Sequence, residues 1–217
     1  MKLNDFIYDP SLQFYVPLYE LDGSKFQSKD AIGHLCTNNG SAWRLYGRYF
    51  ITDDYIDCGS SLFNGYSGAT IEVWIRSSQS ANAHVFSRND GTKEYVQIYV
   101  RAATSNWEVA FRTTADTTGT PAIGSITNIS NSSWHHLVGT WDGRIISAYL
   151  DGILQNTVAL TGVLYSNDVA TYLGARANAG GVDVFYTGDI GEARIYNRAL
   201  TPQEVLFNFI HTRERYA

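Results

Sequence analysis

Charge is scarce in this chain. Its 217 residues hold 16 Lys and Arg against 21 Asp and Glu, 17% in all, for a formal net charge of −5. The basic residues are scattered rather than gathered into a stripe, which argues against the phosphate backbone of a nucleic acid as a partner. Long apolar runs are missing too. None approaches the roughly 20 residues that span a bilayer, so no membrane insertion is expected. The opening Met1-Lys-Leu-Asn-Asp-Phe6 lacks an apolar h-region, so no signal peptide is read and cytoplasmic synthesis is expected. Cysteine is limited to Cys36 and Cys58. Neither has a CxxC partner or a spaced histidine, which argues against zinc. With no export signal they are expected as buried free thiols. A disulfide stays open as an alternative, because the two lie symmetrically about Gly47 and a hairpin there would bring them together. No Pro- or Ser-rich linker and no repeat period divides the chain, so one domain over residues 1–217, with its core at about 14–210, is the reading. The sequons at Asn39, Asn128 and Asn131 are, without secretion, only loop composition.

What the chain does have is aromatic and aliphatic mass: 44% of it is hydrophobic and 14% aromatic, enough for a full-sized core. The pattern of that mass is period two. Across Thr70–Ser77, Ile71, Val73 and Ile75 alternate with Glu72, Trp74 and Arg76. Across Tyr95–Arg101, Val96, Ile98 and Val100 alternate with Tyr95, Gln97, Tyr99 and Arg101. Such alternation marks strands with one face in a core. Further strands are expected at Val85–Arg88, Trp107–Thr113, Ile145–Leu150, Thr171–Gly174 and Ile190–Tyr196. Asn64-Gly65, Asp90-Gly91, Asp142-Gly143 and Asp151-Gly152 punctuate them; the Asp-Gly pairs predict hairpins in which both turn residues reach φ > 0. Thr201-Pro202-Gln203-Glu204 is a capping box with proline at the first helical position, and Leu200 and Val205 stand at the spacing of a hydrophobic staple. Val205, Phe209 and Leu206 would then pin a helix of about three turns. The fold class read from this is all-β: a two-sheet antiparallel jelly-roll sandwich with a short C-terminal helix.

Three motifs go further. They are Trp134-His-His-Leu-Val-Gly-Thr-Trp-Asp-Gly143, then Tyr149-Leu-Asp-Gly152, then Gly188-Asp-Ile-Gly-Glu-Ala-Arg-Ile-Tyr-Asn-Arg-Ala-Leu-Thr-Pro-Gln-Glu204. Together with Val16–Tyr19, Asp30–Gly33 and Asp53–Gly59, they make the chain resemble the laminin-G-like group of the concanavalin A-like lectin/glucanase superfamily, from about Phe14 to Asn208. The resemblance implies a concanavalin A-like sandwich. It says little of function, because that superfamily spans lectins, hydrolases, receptor modules and structural proteins. Its members are mostly extracellular, which sits awkwardly with a missing signal peptide. A virion component, made in the cytoplasm and released by lysis, would reconcile the two.

Glycosidases of that superfamily carry a Glu-x-Asp-x-x-Glu strand whose carboxylates flank the sugar bond. Glu20-Leu-Asp22-Gly-Ser-Lys25 starts the pattern but ends in lysine. Asp189 and Glu192 are three apart, so in a regular strand they face opposite sides. His84, His135 and His136 are available as bases, yet no Gly-x-Ser-x-Gly elbow accompanies them, and one of the last two is expected as a hydrogen-bonded core residue. The chain is therefore read as no enzyme. Relatives often hold a structural Ca²⁺ with a closing-strand Ile-Asp-Glu; here the sequence is Ile190-Gly191-Glu192. Asp30, Asp189 and Glu192 remain candidate oxygen ligands for it; the alternative is no metal, with these acids solvated or capping turns. Trp74, Trp134 and Trp141 are expected in packing. The remaining lead is the row Tyr95, Gln97, Tyr99 and Arg101, where aromatic and hydrogen-bonding side chains alternate as on a sheet that stacks sugars. A non-catalytic module that recognises carbohydrate or another protein is the first reading. A phage capsid decoration or tail protein is the second, and a glycoside hydrolase without the usual motif the third.

Overall fold

The alternating segments all become strands in the computed structural model, which describes residues 9–217 apart from 21–22, 61, 78, 80, 91–92, 102–105, 116–119, 126–128, 166–167 and 179–180. The Met1–Phe6 segment, the Glu20–Lys25 motif, the Asp90-Gly91 turn and the Asn128 sequon lie wholly or partly outside the described residues. In chain order the first strands are β1 (Leu12–Pro17), β2 (Lys25–Gln27), β3 (Leu35–Asn39), β4 (Ala42–Arg44), β5 (Gly47–Phe50) and β6 (Tyr55–Asp57). Next come β7 (Ala69–Ser77), β8 (Ala83–Asn89), β9 (Glu94–Arg101), β10 (Asn106–Phe111), β11 (Thr120–Ser125) and β12 (Trp134–Trp141). The last are β13 (Ile145–Leu150), β14 (Ile153–Ala159), β15 (Thr171–Leu173), β16 (Arg176–Asn178), β17 (Gly181–Asp183) and β18 (Gly188–Tyr196), followed by helix α1 (Pro202–Thr212).

Two large antiparallel sheets result. The first runs β14-β13-β12-β7-β18-β5-β4, with β1 also paired to β18; the second runs β11-β10-β9-β8-β15-β6-β3-β2. Strands β16 and β17 form a small separate ribbon. Ile71, Val73 and Ile75 from the first sheet meet Ile98, Val100, Trp107 and Val109 from the second, all fully buried. The sheets approach closely at Gly139 of β12. A Cβ there would lie 2.2 Å from Val109 Cγ2, so only a bare backbone fits between them. The chain leaves the second sheet after β3, makes the β4–β5 hairpin in the first, and returns to the second as β6. That excursion brings Cys36 and Cys58 together as free buried thiols. Burial, with the Cys36 thiol beside it, pushes the Cys58 thiol well up.

The two Asp-Gly hairpins close differently. At Asp151-Gly152 both residues take φ > 0 (51° and 79°), as the sequence demands. At Asp142-Gly143 only the glycine does, at 93°. Asp142 instead accepts hydrogen bonds at Oδ1 from the Arg144 and Ile145 amides, at 2.8 and 2.7 Å. That side-chain turn stands in for the left-handed backbone.

Helix α1 lies on the outside of the first sheet, held by its capping box. The Glu204 amide donates to Thr201 Oγ1 at 3.3 Å and the Thr201 amide to Glu204 Oε2 at 2.7 Å. Leu200 and Val205 are buried with Leu12, Tyr15, Val138, Tyr149 and Tyr196 in a second, smaller core under the helix. Phe209 stacks on Trp74, but Leu206, expected among the anchors, is 43% exposed. It is one residue round from Val205, at the edge of the helix, where its side chain lies over Gly152 of the β13–β14 turn. Thr201→Ala should remove one cap and cost about 1 kcal/mol. Thermal or urea unfolding would read this as a lower midpoint, and an unchanged midpoint would show that the cap contributes nothing.

Candidate functional site

Alternation places Tyr95, Gln97, Tyr99 and Arg101 together on the outer face of the second sheet, but their exposure is graded. Tyr95 is buried: its hydroxyl donates to Asp90 Oδ2 at 2.6 Å and its ring meets Tyr165 edge-on at 5.1 Å. Gln97 is buried as well. Its Oε1 lies 2.9 Å from His84 Nε2, and its Nε2 donates to Glu108 Oε1 at 3.4 Å. Glu108 Oε2 in turn accepts from Arg101 Nε at 2.7 Å. Tyr99 is half-buried and Arg101 exposed. The Tyr99 ring stands between the His84 ring, edge-on at 4.6 Å, and the Arg101 guanidinium, 5.6 Å from its centroid. Of the four, expected to be exposed or else covered by another element, Tyr95 and Gln97 are covered, and Tyr99 and Arg101 stand over a hydrogen-bonded chain that runs from His84 to Arg101. His84 and Glu108 join the row only by cross-strand register, opposite Tyr99 on either side, a pairing that no spacing in the sequence announces.

The three candidate metal ligands do not form one donor set. Asp30 accepts from the amides of Tyr15, Ile32 and Gly33. Asp189 is held between Arg44 and Arg76. Glu192 is bonded to Arg194 in a buried layer. Among the described residues no group of three His, Cys, Asp or Glu gathers in metal-binding geometry. Where the resembled family puts an acid, this chain has Gly191, and a Cβ there would sit 2.4 Å from Tyr216 Cε1.

Gly191 also corrects the expected orientation of the two acids. It is the extra residue of a bulge: Asp189 pairs with Arg76 and Glu192 with Trp74, with the register slipping between Ile190 and Glu192. Arg76 and Trp74 share a face, so Asp189 and Glu192 share it too. They still cannot flank a sugar bond, because Glu192 is shut in beneath the C-terminal segment. There it joins Glu72, Arg194, His136 and Asn208. Glu72 accepts from Arg194 Nη1 at 2.7 Å, His136 Nε2 at 2.8 Å and Asn208 Nδ2 at 2.9 Å. Burial would raise the Glu72 carboxyl, but the Arg194 and His136 charges and the bonds from His136 and Asn208 outweigh it and hold it at about 2. Burial dominates at Glu192, whose carboxyl is raised. His136 lies in this layer under the helix rather than between the sheets. His135 is on the opposite, core-side face, at the rim, with Nδ1 2.9 Å from Asp151 Oδ2. Trp74 and Trp141 are buried as expected, whereas Trp134 is only half so.

Trp134 lines a cleft that sequence reasoning missed, at the β4–β5 hairpin and the end of β7. Its two adjoining lobes, about 280 and 310 Å³, share Arg44, Arg76 and Asp189. Arg76 Nε and Nη2 both donate to Asp189 Oδ2, at 3.1 and 3.0 Å, and Arg44 Nη1 reaches Oδ1 at 3.3 Å. The two arginines are too far apart in sequence, 32 residues, for any local pattern to join them.

The match to a family model places this geometry in context. Residues 50–206 match the laminin-G model of the concanavalin A-like lectin/glucanases superfamily, and the chain belongs to that superfamily. No curated protein matches its sequence. Among solved structures it is similar to domain 4 of AbnA, an extracellular GH43 arabinanase from Geobacillus stearothermophilus, in complex with arabinotriose. Identity is 17% and the TM-score 0.63, over 91% of this chain and 98% of that one. It is also similar to the binding domain of Paraclostridial Mosquitocidal Protein 1, at 16% identity and a TM-score of 0.66, over 96% of this chain and 52% of that one. The receptor-binding domain of botulinum neurotoxin D matches at 11% identity and a TM-score of 0.68, over 98% and 54%. The chain thus spans about half the length of the toxin binding domains it matches, and at these identities the likeness is one of fold.

Proposed function

We propose that this member of the superfamily is a non-catalytic recognition module, binding carbohydrate or a protein surface through the outer face of the second sheet. One observation carries the reading. The half-exposed Tyr99 ring is fixed between His84 and Arg101 over a hydrogen-bonded base. A tyrosine so held offers apolar area and a polar tip while losing little rotamer freedom on binding. Gln97 acts beneath it as a support, while Tyr95, four residues along the strand, is engaged by Asp90 and Tyr165. The bound arabinotriose named for the arabinanase domain, and the binding role named for the toxin domains, support the same class of function.

Tyr99→Ala should weaken a bound glycan or partner by about 1–3 kcal/mol, the loss typical of a binding hot spot, with the fold intact. A glycan array followed by titration of the strongest hit would measure it. Unfolding of the variant would show the ring to be a packing residue, and undiminished binding would move recognition elsewhere. The same preparation should release no reducing sugar from laminarin, agarose or carrageenan, since no open pair of carboxyls flanks a cleft among the described residues. Release that is lost on replacing a single acid would overturn the non-catalytic reading.

A further inference from the structure

We propose that the Arg44–Arg76 cleft is a second saccharide subsite, selective for a sugar that carries a carboxylate. The proposal rests on the module's reading as a carbohydrate binder, but it uses the other sheet and none of the residues around Tyr99. Charge is the first argument. Two guanidiniums share one carboxylate, and that carboxylate is at the base: the Asp189 side chain is 5% exposed, those of Arg76 and Arg44 35% and 47%. The cleft mouth therefore carries a net positive charge on a chain whose total is −5. Asp189 engages the Nε–Nη2 edge of Arg76 and one nitrogen of Arg44, which leaves donors on both for the planar, two-point recognition of a second carboxylate.

Rigidity is the second argument. The Arg44 guanidinium lies 3.6 Å over the Tyr49 ring and that of Arg76 5.2 Å over Trp134. Together with the Asp189 clamp, these contacts fix both groups before a ligand arrives, so less ordering entropy is lost on binding. The third argument is shape. Trp134 and the 39%-exposed Tyr46 wall one lobe beside the guanidiniums. Thr187 and Ser132 bring hydroxyls to the other. A pyranose acid presents a carboxylate, an apolar ring face and hydroxyls in that combination. Lobes near the lower size limit of small-molecule sites, about 300 Å³, suit one sugar unit each.

Calorimetric titration with trigalacturonate, its trimethyl ester and hexaglutamate tests this. Trigalacturonate should bind, and the uncharged ester about tenfold or more weaker, the loss expected of a charge-assisted pair. Arg44→Gln should weaken trigalacturonate by about tenfold as well, and it leaves Asp189 held by both Arg76 bonds, so the fold is kept. Tyr46→Ala, on an exposed turn, should weaken it by about threefold through lost ring contact, while Tyr99→Ala should leave it unchanged. Equal binding of acid and ester overturns the proposal, as does indifference to Arg44→Gln. Binding of hexaglutamate as tight as that of trigalacturonate makes the cleft an acidic-peptide site and overturns it too. Neutral glycans bound and then lost in Tyr99→Ala, with no uptake of trigalacturonate, overturn this subsite alone. No binding of any glycan overturns it together with the carbohydrate reading it rests on.

Discussion

Glu72→Ala should destabilise the protein by on the order of 3–5 kcal/mol at neutral pH, the cost of breaking a buried ion pair by removing one partner. Glu72 is fully enclosed between β7 and helix α1, and its loss removes the acceptor of Arg194 Nη1 and of His136 Nε2, and one of the two acceptors of Asn208 Nδ2. The effect should depend on pH in a defined direction. The folded carboxyl is held at about 2, below the ordinary 4.5. A depressed acid contributes stability that is present above the unfolded value and lost as pH falls through the folded one. Over that window the wild type should shed on the order of 3 kcal/mol, and the gap between wild type and variant should narrow. Glu192 works in the opposite sense. Its carboxyl is raised, so it favours the folded state at acid pH and loses that contribution as pH rises. Urea denaturation of both proteins at pH 7 and pH 3 decides the matter. An equal gap at the two pH values would mean that the folded carboxyl is not held below its unfolded value.

Gly139→Ala should cost about 3 kcal/mol, the upper end of overpacking penalties. The added carbon would lie 2.2, 2.8 and 2.9 Å from three carbons of Val109. Val109 is β-branched and fully buried, so it has little rotamer freedom to yield with and the strain falls on the packing of the two sheets. For a chain of this size the midpoint should fall by roughly 6–12 °C. The double variant Gly139→Ala/Val109→Ala should recover part of this, with a coupling of at least about 1 kcal/mol. Strict additivity would show that the two positions do not meet.

Much of this architecture was legible because it is local. Period two named both faces of β7 and β9, and Thr201–Glu204 named the start of α1. What lay beyond reach was tertiary. Nothing in Glu72, Trp74 or Arg194 says that an outward-facing row will be roofed by a helix more than a hundred residues away in the case of Glu72. The same failure hid the burial of Tyr95 and Gln97, which Asp90, Tyr165, His84 and Glu108 cover from other segments. The bulge at Gly191 was hidden for a different reason. One unpaired residue reverses the facing of everything after it, yet a lone glycine in a strand reads as any glycine. That is why Asp189 and Glu192 were expected on opposite sides. The Arg44–Arg76 cleft was out of reach because strands distant in the chain, β4 and β7, are brought to either side of β18.

The position of β18 has a consequence for how the protein is made. It pairs with β7 on one side and with β1 and β5 on the other, so the last of the described strands is a central strand of the first sheet. During synthesis β1, β5 and β7 emerge early and must wait, with apolar faces and unpaired edges, until residues 188–196 leave the ribosome. Pairing at such sequence separation is slow, and waiting strands are open to aggregation. The first sheet can therefore close only after residues 188–196 have emerged, so its assembly waits on contacts between segments more than a hundred residues apart.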